Sequence, residues 1–570
     1  MRLLLSKWEG VALQVAQSKA ALGCSFLQKL VTERPLSAVS PEVAEEGCSV
    51  SLSVLLDDHP KVQFNWEGGR YDGLYYIYAA PGAPPAASPF VDLLPPNLAP
   101  NSELSFKRIK SWLSECSASH IKCPKHSGNF MPRRVLHISK SGEGLSVRLS
   151  SDHSPGKYAT LSYCWGGDQP SKTLQPNFQS YLSDIPLGSL PLTIQHAAIV
   201  THGIGLPYLW VDAMCIIQDD EEDKFDQIAQ MHAIYNNSWV TIAAAEAKVS
   251  GDGFLQPRGQ WQPVKMKARF DDNVFSDVLL VPQGLGPMSC RPDAPLFQRG
   301  WTMQETLLSS RILLYGHREL TFLCLEDEKS EGGLPPDIRH YQIAYSQRLL
   351  TVEDDKLLGI GALAEAYGRR KGLAGYVAGM WKTDFLQQCL WTTETTNEEH
   401  LPRRPVRYRA PSWSWASLDA HISSFGVSAN MPAMMLPETM PPNSTCRIID
   451  IQTTLVTLEN PFGMVSDGYL TIQGKMRELT WHNKGIGWRE EGRLDGSEYR
   501  SAAGLASGSG SPLEHRDMQS DEARGYALLL KEVESETGTF QRVGRLEVTE
   551  RDGFDDWFDG PHEWKEIVVV

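Results

Sequence analysis

Apolar residues along this chain recur with two different periods, and the period changes from block to block. Tyr158-Ala159-Thr160-Leu161-Ser162-Tyr163-Cys164-Trp165 reads as a strand, stopped by Gly166-Gly167. Pro191 to Ile204 reads as a helix with Ile194, Ala197, Ala198 and Thr201 on one face. Tyr208 to Ile216 reads as an apolar strand interrupted only by Asp212. Glu221 to Asn236 reads as a helix with Phe225, Ile228, Ala229, His232 and Tyr235 on one face, and its first turn carries acids where the helix dipole favours them. Trp239 to Ala245 is a further apolar strand. Strand, helix, strand, helix, strand in this order is the grammar of a parallel sheet with crossover helices.

The flanks are more mixed. Trp8 to Leu30 reads as helical, Ser51 to Leu56 and Tyr71 to Tyr78 as strands, and Ala80 to Pro100 as a linker rich in Pro and Ala. Helical spacing returns at Leu104 to Leu113, followed by a strand pair at Arg134–Ile138 and Leu145–Leu149. Past a hinge-like segment at Gly284 to Pro295 come a helix near Arg299 to Ser309 and a hairpin, Ile312–Tyr315 with Leu320–Leu325. Residues 340–395 look helical, and the chain from 400 onward is strand-rich, with a Gly/Ser tract at Gly504–Ser511 expected as a mobile loop. The expected fold class is α/β. The expected segments are an N-terminal extension and linker (1–100), a pre-core segment (101–157), a core (158–330), a helical segment (331–400) and a strand-rich region (401–570).

Composition narrows the function classes. At 570 residues with 41% hydrophobic and 22% charged positions, the chain is too long for one small module and too ordinary to be fibrous or disordered. A net charge of −15 repels phosphate backbones, so no nucleic-acid partner is expected. No apolar run reaches the ~18 residues of a spanning helix, and Met1 to Lys7 lacks the apolar stretch of a secretory signal, so no membrane partner is expected. The ten scattered cysteines read as reduced thiols of a cytoplasmic protein.

There is no phosphate-binding glycine loop, no H-E-x-x-H, no nucleophile elbow and no kinase signature. Asp212 is the first residue of interest. A carboxylate in a strand covered on both faces is costly unless it is paired or stands at the strand's carboxyl end, where α/β sheets bind ligands; the alternative is an Asp that caps the next loop. Glu305 is the second. It shares a helix face with Trp301 and Leu308, so it is either paired with an arginine, Arg299 or Arg311 being nearest in sequence, or held in a cleft suited to acid/base or charge-stabilising work. Cys215 has no evident general base and reads as a buried inert thiol, and His232 as a core histidine. Cys116-x-x-x-His120-x-x-Cys123 has three zinc-type ligands with no fourth in view and reads as local packing, so no metal is expected. Trp413-Ser414-Trp415 reads as a strand packing a core, with a pocket lining as the alternative.

Three blocks together resemble the fungal heterokaryon incompatibility (HET) domain family. They are Tyr158-Ala159-Thr160-Leu161-Ser162-Tyr163-Cys164-Trp165-Gly166, then Leu209-Trp210-Val211-Asp212-Ala213-Met214-Cys215-Ile216-Ile217-Gln218 with Met231-x-x-x-Tyr235, and Arg299-Gly300-Trp301-Thr302-Met303-Gln304-Glu305. The resemblance implies a role in non-self recognition, with growth arrest and programmed cell death when incompatible cells fuse. It implies a TIR-like, flavodoxin-like parallel sheet. Because some TIR relatives cleave NAD with a key Glu, it also makes NAD a candidate substrate, with no resident cofactor. On that reading Glu305 and Asp212 are catalytic, while Tyr163, Trp165, Trp301, Gln218 and Arg299 bind substrate. Two rivals stand beside it: a secondary-metabolite enzyme (cyclase, isomerase or lyase) using the same pocket on a small-molecule substrate, and a non-catalytic module that binds a protein partner in incompatibility signalling.

Overall fold

The computed structural model describes residues 8–12, 49–56, 60–66, 72–80, 91–125, 130–258, 263–282, 294–333, 345–393, 402–423, 446–479, 492–494, 502–506, 524–533, 537–549 and 564–570, apart from 92, 96, 143, 153, 272–273, 351, 384 and 459. The chain divides into two compact units: Met1–Phe297 with Leu308–Gln342, and Gln298–Leu307 with Ile343–Val570. No helix among the described residues is long and apolar enough to cross a membrane.

The first unit is built on an eight-stranded sheet. Its strands are β1 (Val135–Ser141), β2 (Gly144–Ser150), β3 (Tyr158–Ser162), β4 (Tyr208–Trp210), β5 (Val240–Ala244), β6 (Arg311–Tyr315), β7 (Leu320–Cys324) and β8 (Glu328–Ser330). Their spatial order is β8-β7-β6-β5-β3-β4-β1-β2. The four central strands, β6, β5, β3 and β4, run parallel to one another, and the flanking strands pair antiparallel. Every residue of β3, β5 and β6 is buried, as expected for parallel strands covered on both faces. Polar side chains in these strands meet one another: Thr160 and Thr241 hydroxyls lie 2.7 Å apart, and Thr241 bonds Ser309 at 2.5 Å.

Helix α1 (Glu103–Ser119) precedes these strands, and α2 (Gln175–Ser183), α3 (Leu192–Gly203) and α4 (Glu221–Asn236) connect them. The predicted face of α3 is the buried one. The predicted face of α4 is not. Its buried residues are Asp223, Gln227, Met231, Ile234 and Tyr235, whereas Phe225 and Ile228 are exposed and His232 is only half-buried, its Nδ1 3.0 Å from the Ala229 carbonyl. The cause is an ion pair. Asp223 is buried against Arg134, and that rotates a polar stripe inward. The apolar run Tyr208–Ile216 is also not one strand. The backbone leaves β4 after Trp210 and makes a helical turn at Asp212–Cys215.

A second, six-stranded antiparallel sheet in this unit takes Trp8–Ala12, Ser49–Leu56, Pro60–Trp66, Asp72–Ala79, Val274–Pro282 and Val264–Asp271, in that order. Trp8–Ala12 is therefore a strand where helix was expected; residues 13–30 lie outside the described residues, as does most of Gly284–Pro295. Within the segment read as a linker, Leu93 is fully buried and its carbonyl accepts the Ala79 amide.

Glu319, just before β7, is buried, with Oε2 accepting the Gly332 amide at 2.8 Å. Burial, reinforced by the Glu331 charge, raises its pKa from 4.5 to about 7 against the lowering effect of the Gly332 amide, the Ser330 hydroxyl and Arg258. The folded state holds this proton more tightly than the unfolded chain. Its contribution is therefore full below pH 4.5 and is lost as pH rises to about 7. Glu319→Gln is expected to be more stable than the parent at pH 8, by up to about 3 kcal/mol. Denaturant midpoints measured from pH 4 to 8 should be flatter for the variant over that interval.

The second unit centres on an antiparallel sheet of Cys446–Leu455, Val465–Leu479, Ala502–Ala506, Arg524–Glu532, Thr539–Thr549 and Gly492–Leu494, with Trp564–Val569 pairing Val465–Leu479 and, in parallel, Thr539–Thr549. Gly504–Ala506 thus lie in a strand, and 507–511 lie outside the described residues. Leu470, Ile472, Leu530, Phe385 and Trp413 form its core. Trp413 packs its ring against Phe385 at 5.3 Å, but the segment is a turn running into a short 3-10 helix at Trp415–Ser417, not a strand. The described residues of 340–395 are less helical than expected: the helix Leu358–Lys371 and the single turn Phe385–Gln388 stand among short 3-10 turns and two-residue strands.

Candidate functional site

The first two sequence blocks meet at the carboxyl ends of the parallel strands. In register, Ala159 pairs Leu209 and Thr160 pairs Trp210 on one side, while Leu161 pairs Ile242 and Ser162 pairs Ala243 on the other. Asp212 stands two residues past the end of β4, and Trp165 three past the end of β3. The Trp165 indole nitrogen donates to Asp212 Oδ2 at 2.9 Å, and the Ala213 amide donates to Oδ1 at 2.7 Å. Both Asp212 and Trp165 are half-buried. Asp212 therefore stands just past the end of its strand, and it also caps the turn that follows.

The surrounding loops are tied to this edge by short polar contacts. Gln218 donates from Nε2 to the carbonyls of Asp212 (3.1 Å) and Ile216 (3.2 Å), closing the turn, so its amide nitrogen is already engaged by its own chain. Tyr235 on α4 donates to the Leu161 carbonyl at 3.1 Å, fixing the helix on β3. Tyr163 is buried at the strand end. The loop after β5 folds back: the Ser250 amide donates to the Trp165 carbonyl, the Thr193 amide to the Ser250 carbonyl, and the Phe254 and Leu255 amides to His196 Nδ1 at 2.9 and 3.0 Å. These two donors make Nδ1 an acceptor, and burial lowers the His196 pKa in the same sense.

Gly166 explains why the first block ends in Trp-Gly. Its φ is +74°, and a Cβ there would stand 2.1 Å from Val249 Cγ1 and 2.7 Å from Val249 Cα. Side chains other than glycine's disfavour that φ, and backbone as well as side chain blocks the space. Gly166→Ala is expected to lower stability by about 2–4 kcal/mol and to loosen the Trp165–Asp212 contact. Thermal melts and tryptophan fluorescence check both effects.

Cys215 is fully buried, and burial pushes its thiol up to about 12, as expected for an inert cysteine. Glu246 was missed by sequence reasoning. It stands two residues after the end of β5 and is half-buried. The available signal was the one that singled out Asp212, an acid closing an apolar run.

The third block lies in the second unit, where it clasps the segment 345–358. Helix α5 (Trp301–Leu308) carries Trp301, whose indole donates to Asp355 Oδ2 at 3.2 Å, and Gln304, whose Nε2 donates to the Leu358 carbonyl at 2.9 Å. The Arg299 carbonyl accepts from Arg348 Nη1 at 3.3 Å, and Arg299 bridges Leu349 in parallel fashion. A Cβ on Gly300 would meet Leu350 Cδ2 at 2.3 Å. Glu305 is only 6% exposed. Burial lowers the Arg348 pKa to about 10, with Tyr345 and then Glu305 acting the other way, so Glu305 lies within the field of a buried guanidinium. Arg348 is therefore one cation whose field reaches Glu305.

Residues 158–305 match the family model described as Heterokaryon incompatibility protein (HET). This stretch is a HET domain. The match begins at the first residue of β3, ends at Glu305, and takes in all three blocks. No curated protein and no solved structure matches the chain.

The cysteine segment departs from expectation. A fourth ligand-type group does stand with Cys116, His120 and Cys123: Cys324, at the end of β7. It is 201 residues further along the chain, beyond the reach of any spacing rule.

Proposed function

We propose that this chain is a cytoplasmic effector of fungal heterokaryon incompatibility, and that its HET domain acts at the carboxyl ends of its parallel strands on NAD, through Asp212. The match over residues 158–305 carries the first part. The second rests on one observation: a half-buried carboxylate paired with an indole at the carboxyl edge, beside the point where the strand order reverses. In chain order the parallel strands lie second-first-third-fourth, an order that supports the flavodoxin-like, TIR-related reading, and such sheets take ligands at that reversal.

In the proposed reaction the bond between ribose and nicotinamide breaks. Nicotinamide leaves with the bonding electrons, the ribose passes through an oxocarbenium-like state, and water adds to give ADP-ribose and a proton. The Asp212 carboxylate stabilises the positive charge as it develops. Tyr163 and Trp165 border the site, Trp165 orienting the carboxylate through its N–H. Glu305 is assigned to the clasp of the second unit, because it is buried near Arg348.

A second reading, a non-catalytic module that engages a protein partner, is favoured by the two donors that Asp212 already accepts from its own chain. Incubating the purified full chain with NAD separates the two. The enzymatic reading expects nicotinamide and ADP-ribose in equal amounts. Intact NAD, with expression still arresting growth, supports the module.

A further inference from the structure

Cys116 lies in the last turn of α1, His120 caps that helix with its amide on the Cys116 carbonyl, and Cys123 follows in the next turn. Cys324 comes from β7. The three sulfurs and one imidazole nitrogen all lie within 4.8 Å of one another. Cys324 Sγ is 3.3 Å and Cys123 Sγ 3.8 Å from His120 Nδ1. Cys116 and Cys123 are buried, and the His120 side chain is 11% exposed.

Packing alone does not ask for three thiols and an imidazole to converge on one point, since thiols are weak donors and weak acceptors. The groups behind them suit a metal. Asp327 Oδ2 stands 3.9 Å from His120 Nε2, on the far side of the ring from the sulfurs, as a carboxylate behind a ligating histidine does. The Asp327 amide donates to Cys324 Sγ at 3.3 Å, and the buried Arg311 donates from Nε to Cys116 Sγ at 3.1 Å. Three thiolates around a dication leave one negative charge, which Arg311 offsets.

We propose that Cys116, His120, Cys123 and Cys324 form a tetrahedral Cys3His site for a structural zinc ion. Thiolate and imidazole donors select a borderline-soft ion over magnesium or calcium. Four protein ligands leave no open position, so the site is structural rather than catalytic. It fastens the end of α1 to β7, alongside the Trp112–Phe322 ring contact at 6.1 Å. The neighbouring trio Glu115, His120 and Asp327 is the weaker cation site: Lys329 Nζ already lies 2.6 Å from Glu115 and 3.2 Å from Asp327. This inference stands apart from the proposed NAD chemistry.

The test is the metal content of the full chain, expressed with zinc in the medium and purified without chelator. About one zinc per chain is expected, lost in Cys324→Ser and retained in Cys389→Ser, whose thiol is buried in the other unit. Asp327→Asn keeps all four ligands and is expected to weaken zinc in a chelator competition by roughly 10-fold or more. Cobalt(II) in place of zinc should give thiolate charge-transfer and tetrahedral d–d bands. Folded protein that binds neither zinc nor cobalt overturns the proposal, as does a disulfide between any two of the three cysteines.

Discussion

Arg134→Leu is expected to destabilise the first unit by about 3–5 kcal/mol, the cost of leaving one charge of a buried pair behind. Arg134 and Asp223 are both buried and in contact. The arginine also donates from Nε to the Cys215 carbonyl at 2.7 Å, and Asp223 accepts the Ile217 amide at 2.9 Å. The pair therefore holds both ends of the segment that follows Asp212. Arg133, with its side chain largely exposed, reaches Asp223 at 3.3 Å and replaces little of what is lost. Replacing both partners with apolar residues should recover much of the loss, because no unpaired charge then remains. Denaturant midpoints of the two variants check this. A loss under about 1 kcal/mol for Arg134→Leu would mean that the pair is no more than a surface-type contact.

Asp212→Asn is expected to remove activity by a factor on the order of 10²–10³ or more, if the carboxylate stabilises developing positive charge. Its structural cost is smaller, about 1–3 kcal/mol, because an amide cannot accept as well from both Trp165 and Ala213. Trp165→Phe tells the two roles apart. It removes the indole donor and leaves the carboxylate, so a catalytic Asp212 keeps part of its activity there. If Asp212 is only a latch, Trp165→Phe and Asp212→Asn should be equally damaging. Measuring nicotinamide release and folded fraction on the same preparations distinguishes these outcomes.

The boundaries of α3 and α4 were legible in the sequence because acids and a proline mark their starts and the apolar period runs through them. The parallel core was legible because β3 and β5 are mostly apolar, with only Thr160, Ser162 and Thr241 as polar members, as suits doubly covered strands. What escaped depends on distant partners. The buried face of α4 was hidden because a salt bridge with Arg134, 89 residues earlier, outweighs the apolar stripe. Tyr208–Ile216 looked like one strand because Val211 and Met214 are as apolar inside a turn as inside a sheet, and the turn is held by hydrogen bonds that hydropathy does not show, among them Cys215 to the Val211 carbonyl and Ala213 to the Asp212 carboxylate. Of the two candidate acids, Asp212 is a polar break in an apolar run and lies half-buried at the strand edge, while Glu305 gives the same signal from a buried position within the field of Arg348. Hydropathy alone does not separate those two environments.

The central claim, that the strand edge at Asp212 is the working end of an incompatibility effector, is tested most directly by inducible expression in a fungal host. The full chain and Asp212→Asn would be compared at equal amounts of folded protein, with growth and cellular NAD followed together. The account predicts growth arrest with falling NAD for the parent chain and neither for the variant. Arrest by folded Asp212→Asn equal to that of the parent would contradict it.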